Sequence, residues 1–234
     1  MDDDEYGALV DTLRRQPSSL DPVAEGLVRL FPVTGAAVST LGELLGNETL
    51  SASDDLAARV DELQFDLGEG PCWDALTTTR PVLEPDLRNR GGAAWPAFAR
   101  AVHDDVGAIF AFPMIIGQVK LGAVDMFSTE PARLDRRDTR RAVELATLVG
   151  HNVLRLALDQ TGEFDGRERP FTRRAVHQAT GMVLAQLDVT PDEAGLIIKG
   201  HAFASGRSMM EVADDILEGR LSFTRGADGF EETR

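Results

Sequence analysis

A chain of 234 residues, 43% hydrophobic and 27% charged, is long enough for two globular domains and too apolar for a disordered one. No run approaches the roughly 18 apolar residues that cross a bilayer, Met1-Asp-Asp-Asp-Glu5 is acidic where a secretory leader is basic, and the single Cys72 excludes an internal disulfide and suits a reducing compartment. A cytoplasmic protein with no membrane partner is expected, and a net charge of −15 without a dense basic run excludes a non-specific polyanion binder.

Residues 1–19 read as an N-terminal extension. Between 20 and 135, helical and strand patterns alternate. Asp21-Pro22 offers an N-cap followed by proline at the first helical position, and Val23, Leu27, Leu30 and Phe31 give that helix one apolar face. Gly35–Leu41 reads as a buried strand, and Ser53-Asp54-Asp55 opens a second helix carrying Leu56, Val60 and Leu63. A short helix follows Gly68-Glu-Gly-Pro-Cys72, then a strand around Val82-Leu83 and a helix over Trp95–Val102. Val106–Ile116 and Val119–Phe127 are apolar runs joined at Gly117-Gln118, a hairpin signal. Hairpins mixed with helices indicate an antiparallel sheet with helices on its faces, an α/β or α+β domain.

A long helix is predicted over 136–160, with Asp135 as its cap. Ala142, Ala146, Val149, Val153, Leu156 and Gln160 alternate at spacings of four and three, a short heptad seam, while Leu145, Leu148, Leu154 and Leu158 lie off it. So wide an apolar surface predicts parallel pairing with a second copy in a homodimeric coiled coil; the alternative is a helix lying flat on its own domain. Residues 161–170, polar with two glycines and a proline, form the linker.

Punctuation is clearest in 171–221, a small all-α domain of three helices at about 173–187, 191–204 and 209–218. Thr172 caps the first, with Phe171 and Val176 as a hydrophobic staple. Thr190-Pro-Asp-Glu193 and Ser208-Met-Met-Glu211 are capping boxes, the latter just after the helix stop Gly206. Ala179, Gly181, Ala194, Ala202 and Ala213 supply small surfaces where helices touch. Gly181 lowers helix propensity by up to about 1 kcal/mol relative to alanine, which close packing or access for a ligand backbone explains. A polar tail, 222–234, ends the chain.

Residues 173–217, with Arg174-Ala-Val-His-Gln-Ala-Thr-Gly-Met-Val-Leu184, Asp192-Glu-Ala194, Ala202 and Val212-Ala213, resemble the ANTAR domain. The resemblance implies a three-helix module of bacterial transcription antitermination regulators, which bind tandem hairpins of nascent RNA as dimers. Thr180 stands where that family commonly has lysine, and Ala185 where it often has methionine. Residues 20–128, with Gly68-Glu-Gly-Pro-Cys72, Pro81-Val82, Asp86-Leu87, Trp95-Pro96 and Leu121-Gly122-Ala123, look like a GAF domain, a sensory fold with a pocket over one sheet face. This implies a small-molecule ligand whose identity the resemblance leaves unknown. No cofactor is required by the sequence.

The resemblance makes Arg173, Arg174, His177, Lys199 and Arg207 the candidate RNA-binding residues. Arg173 and His177 are four apart and share a helix face, on which no aromatic side chain lies; a shaped hairpin loop rather than a stacked single strand is the expected target. Residues 167–234 carry nine Lys/Arg against eleven Asp/Glu, a balance of −2 that leaves −13 on the rest; RNA contact must therefore be local and directed by shape. The alternative is a ligand-responsive dimer acting by protein contact without RNA. Cys72 precedes a helix, where a thiol can be activated, and some GAF proteins are sulfoxide reductases; that chemistry needs a resolving thiol and the chain has none, so no enzyme is expected. His103, His151, His177 and His201 show no metal-ligand spacing.

Overall fold

Strands and helices alternate through the first 159 residues and helices prevail after residue 174 in the computed structural model, which describes residues 3–15, 19–42, 45–159, 174–226 and 229–233. Two compact units result, Met1–Phe171 and Thr172–Arg234.

In the first, helices α1 (Asp3–Arg14) and α2 (Asp21–Leu30) precede strands β1 (Gly35–Thr40) and β2 (Glu48–Ala52). Helices α3 (Asp55–Leu67) and α4 (Pro71–Thr78), strand β3 (Val82–Glu84) and helices α5 (Leu87–Ala94) and α6 (Pro96–Ala101) follow. Strands β4 (Ala108–Ile116) and β5 (Val119–Ser128) then lead into α7 (Arg136–Asp159). The N-terminal α1 and the polar strand β2 have no counterpart in the apolar pattern of the sequence. Asp21 begins α2 rather than capping it; the backbone N–H of Asp21 donates to the Ser19 hydroxyl instead. Asp54 does cap α3, accepting from Ala57 N at 2.7 Å, and Asp135 accepts from Asp138 N at 2.7 Å at the start of α7.

The strands form one antiparallel sheet in the order β2-β1-β5-β4-β3. Side chains alternate between its faces. Ala36, Val38, Phe110, Phe112, Val124 and Met126 join residues of α1, α2 and α7 in the larger core. Ile109 and Phe127 turn the other way, onto Val60, Leu87, Trp95 and Phe98 of the α3–α6 side, and Leu41 and Ala123 meet Phe65, Cys72 and Leu76. At Gly122 the neighbouring strand comes so close that a Cβ would lie 1.9 Å from the Ser39 carbonyl oxygen, so only glycine fits.

This packing corrects the seam expected on α7. Ala142, Ala146, Val149 and Val153 are buried in the chain's own core and Leu156 packs half-buried at its edge; Gln160 lies outside the described residues. A helix laid on a sheet and a helix in a coiled coil both need an apolar row at spacings of three and four, and here the sheet takes the row. The outward side of α7 exposes Val143 and Leu158 instead.

The second unit packs α8 (Arg174–Leu187), α9 (Pro191–Ser205) and α10 (Met209–Leu217) around Val176, Val183, Leu187, Ile198, Val212 and Ile216. Both capping boxes are made, Thr190 with Glu193 and Ser208 with Glu211, and Gly206 ends α9 in the left-handed conformation at φ 67°. Thr172 and Phe171 lie outside the described residues. The expected polar tail instead holds a hairpin of β6 (Ser222–Gly226) and β7 (Gly229–Thr233). Its Phe223 is buried in the helical core, edge-on to the His201 ring, and its backbone N–H donates to Gln186 Oε1. No helix among the described residues is long and apolar enough to cross a membrane.

Because the 142–153 row lies inside one chain, Val149→Glu places an unpaired charge in the core. It is expected to destabilise the first unit by more than about 3 kcal/mol, read as a lower urea midpoint. A folded variant of unchanged stability and halved mass would return the row to an interface between copies.

Candidate functional site

Two places in the chain combine chemistry with position: a buried polar cluster under the sheet and the outward faces of α8 and α9.

The cluster grows from residues on the inward period of their elements. Ser39 on β1 and Asp125 on β5 face the α3–α4 side, where α3 carries Gln64 and the first turn of α4 carries Cys72. Gly68 ends α3 in the left-handed conformation. Glu69 then accepts from Ala97 N and Phe98 N at 2.6 and 2.7 Å and so caps α6, and Pro71 opens α4. A Cβ on Gly70 would lie 2.5 Å from Gln64 Oε1, so the Gly-Glu-Gly-Pro-Cys turn wraps directly on that amide. Gln64 Nε2 donates to Asp125 Oδ2, while Gln64 Oε1 accepts from Cys72 N at 2.9 Å. Asp61, on the same helix, accepts from Ser39 Oγ at 3.0 Å and from Thr49 Oγ1 at 2.5 Å.

Ser39, Thr49, Asp61, Gln64, Cys72 and Asp125 are all buried. Asp125 Oδ1 is a buried oxygen with no hydrogen-bond partner. Burial, then the nearby Asp61 carboxylate, pushes the Asp125 carboxyl well above its ordinary range. Burial, then Asp125 and Asp61, pushes the Cys72 thiol up as well, the opposite of what an activated nucleophile needs. Sequence reading did not single out Asp125 or Asp61. The available signal was a carboxylate on the core-facing period of β5, between Ala123 and Phe127. No group of three or more His, Cys, Asp or Glu able to hold a metal occurs among the described residues.

On α8, Val176, Ala179, Val183 and Leu187 face the core and His177 faces solvent. Arg173 lies outside the described residues, and of Arg174 the backbone alone is described, at the start of α8. Ala179, Ala194, Ala202 and Ala213 are buried in the core. Gly181 is not: it is exposed, and nothing lies within 4 Å of a Cβ built there, so it makes no helix contact. At position 181 alone the outward face of α8 lacks a side chain. Lys199 is half-buried on the outer side of α9. Arg207 is committed within the module, donating to the Glu211 carbonyl at 2.9 Å and pairing with Asp215 at 2.7 Å; these bonds tie the end of α9 to α10. Arg207 and Arg220 together hold the Asp215 carboxyl below the usual range.

The GAF domain family matches residues 18–154 and the ANTAR domain family matches residues 167–217. Among solved structures, the GAF domain of an Acinetobacter phosphoenolpyruvate-protein phosphotransferase is 12% identical, aligning over 70% of this chain and 100% of its own at a TM-score of 0.54. The GAF domain of the Coxiella burnetii phosphoenolpyruvate-protein phosphotransferase is also 12% identical, over 67% of this chain and 97% of its own, at 0.51. At such identities the likeness is one of fold. No curated protein matches the chain.

With its proton, Asp125 suits the cluster; ionised, it leaves a buried charge facing Asp61. The folded state therefore holds a proton that the unfolded chain loses near pH 4. Stability is expected to fall as pH rises from about 4 toward the raised folded value. Asp125→Asn keeps the neutral shape and should flatten that decline. Urea midpoints of parent and variant between about pH 4.5 and 7.5, below the range where Cys72 ionises, check this; parallel curves would show Asp125 charged in the fold.

Proposed function

The chain belongs to the GAF domain family and carries an ANTAR domain after it, and from that premise we propose that it is a cytoplasmic regulator that binds structured RNA hairpins and promotes transcription antitermination under control of the GAF domain. What carries the reading is the ANTAR match over 167–217, the stretch in which α8, α9 and α10 close on one core.

Within that module, Arg173, Arg174, His177 and Lys199 are the groups this reading uses. Arginine's planar fork suits phosphate and base edges, and His177 lies one turn along α8 from Arg174. Exposed Gly181, one turn further, lowers the helix surface there, which lets a phosphodiester backbone approach α8. Arg207 serves the reading indirectly, by holding α10 against α9. Charge limits the mode of binding. With −15 on the chain, affinity has to come from a few placed donors rather than from a field. The GAF domain supplies control through a small molecule, and the reading assigns no catalysis to the buried, proton-retaining Cys72. The 142–153 row packs on the sheet, so pairing of two copies on tandem hairpins would use other surfaces.

The test is crosslinking of the full chain to cellular RNA, followed by binding of the recovered fragments in a salt series. Arg173→Ala with Arg174→Ala should weaken binding and reduce the slope of log K against log salt by about one unit for each phosphate that the variant no longer engages, with helicity kept because alanine favours helix. Failure of the parent to retain RNA would favour the rival reading, a ligand-responsive module acting by protein contact.

A further inference from the structure

Helix α9 carries an outward row that its core does not use. Ala194, Ile198 and Ala202 turn inward, while Asp192, Leu196, Lys199 and Phe203, spaced four, three and four apart, stand one above another on the opposite side. Phe203 is 73% exposed, the most exposed large apolar side chain among the described residues, and Leu196 is 65% exposed. Helical side chains lean toward the helix N-terminus, so the Phe203 ring lies over the turn of Lys199 and Gly200. Gly200 has no side chain to cover it, and nothing lies within 4 Å of a Cβ built there. A solvent-exposed aromatic ring thus shares one turn with a half-buried lysine.

We propose that Phe203 is a stacking platform for an unpaired base in the loop of a bound RNA hairpin, with Lys199 holding an adjacent phosphate. The proposal rests on the RNA-binding reading and adds a contact on α9 to those that reading assigns at the start of the module. Aromatic rings accept any base by stacking, and a cation beside the ring engages the backbone that follows. Charge argues for a nucleotide over a protein helix. No carboxylate pairs with Lys199 among the described residues. A helix laid over Leu196 and Phe203 would cover Lys199 too and would have to bring an acid to it, whereas a nucleotide brings its phosphate. Asp192 lies 11 residues before Phe203, about 16 Å along the helix, beyond the roughly 8 Å over which salt leaves exposed charges in contact.

The experiment uses the full chain and a pool of RNA hairpins with one fixed stem and randomised loops. Retained hairpins are resynthesised with 2-aminopurine at each loop position in turn. Binding should quench the fluorescence at one position by stacking. Phe203→Leu, which keeps an apolar side chain but loses the flat ring, should weaken binding about tenfold or more and remove the quench, while Phe203→Trp retains both. Lys199→Gln should lower the salt slope by about one unit and leave the quench. The exposed position makes each variant foldable, which far-ultraviolet circular dichroism checks. If the parent binds hairpins and Phe203→Leu binds them equally well, the platform is overturned and the RNA reading stands. If Phe203→Leu instead lowers the sedimenting mass, the row is a protein interface and the platform is again overturned. If the parent retains no hairpin, both readings fall together.

Discussion

A sheet that is apolar on both faces has to be covered twice, and that obligation decides the use of every helix in the first unit. Strand β1 is buried at all six of its residues, so neither face can be left to water. Helices α3 to α6 serve one face and α1, α2 and α7 the other. The N-terminal α1 is recruited by this demand. Its Val10 and Leu13 enter the core beside α7, and Asn152 Nδ2 of α7 donates to the Leu13 carbonyl at 3.0 Å. Polar contacts fix the pairing: the Tyr6 hydroxyl donates to Glu144, the Arg141 guanidinium lies 4.4 Å from the Tyr6 ring centre, and Asp3 pairs with Arg137 and Arg141. Burial and the Glu144 bond raise the Tyr6 phenol to about 12, which keeps it a donor at any physiological pH.

Sequence reading succeeded where the signal is local. A capping box is four residues long and its bonds are made within those four, so Thr190/Glu193 and Ser208/Glu211 could be read directly, as could Gly206 and the turn at Gly117-Gln118. It failed where the partner is distant. The spacing of Ala142, Ala146, Val149 and Val153 states that α7 has an apolar face, and carries no information on whether β4 or a second helix fills it. Strand β2, Glu-Thr-Leu-Ser-Ala, is held by pairing with β1 and by bonds of Thr49 and Ser51 to Asp61 and Asp21, partners distant in the chain. The stretch 222–233 has few apolar residues besides Phe223 and Phe230, and strand β6 docks through the buried Phe223 ring and its backbone bond to Gln186. At the candidate site the same division holds. The inward alanines were legible from helical period, whereas the exposure of Gly181 and Phe203 depends on which neighbours are absent, and a helical period says nothing of neighbours.

The helical module faces a conflict between its charge and its proposed partner. Its acids are concentrated in α10 and beyond, at Glu211, Asp214, Asp215 and Glu218. Two of its arginines, Arg207 and Arg220, are engaged by Asp215. That internal neutralisation separates the acids of α10 from the cations of α8 and α9. The residues left outside it are few, so the proposed binding would have to draw on shape and a single aromatic ring where a basic stripe would serve elsewhere.

Inside the first unit open polar groups are equally scarce. Between the sheet and α3–α4 the polar cluster is already knitted: Gln64 bonds Asp125 with its amide nitrogen and Cys72 N with its oxygen, and its own carbonyl accepts from the Trp73 indole at 2.7 Å. A small molecule entering there has to replace bonds that Gln64 now makes. Its affinity is then the difference between its bonds and those it displaces, and it shifts the domain only to the extent that the two arrangements differ in free energy. Leaving Asp125 or the Cys72 amide unpaired in the interior would cost more than an ordinary hydrogen bond contributes. A ligand of the proposed sensory role that used this face would bind by exchange, and would have to offer a donor toward Asp125 and an acceptor toward the first turn of α4.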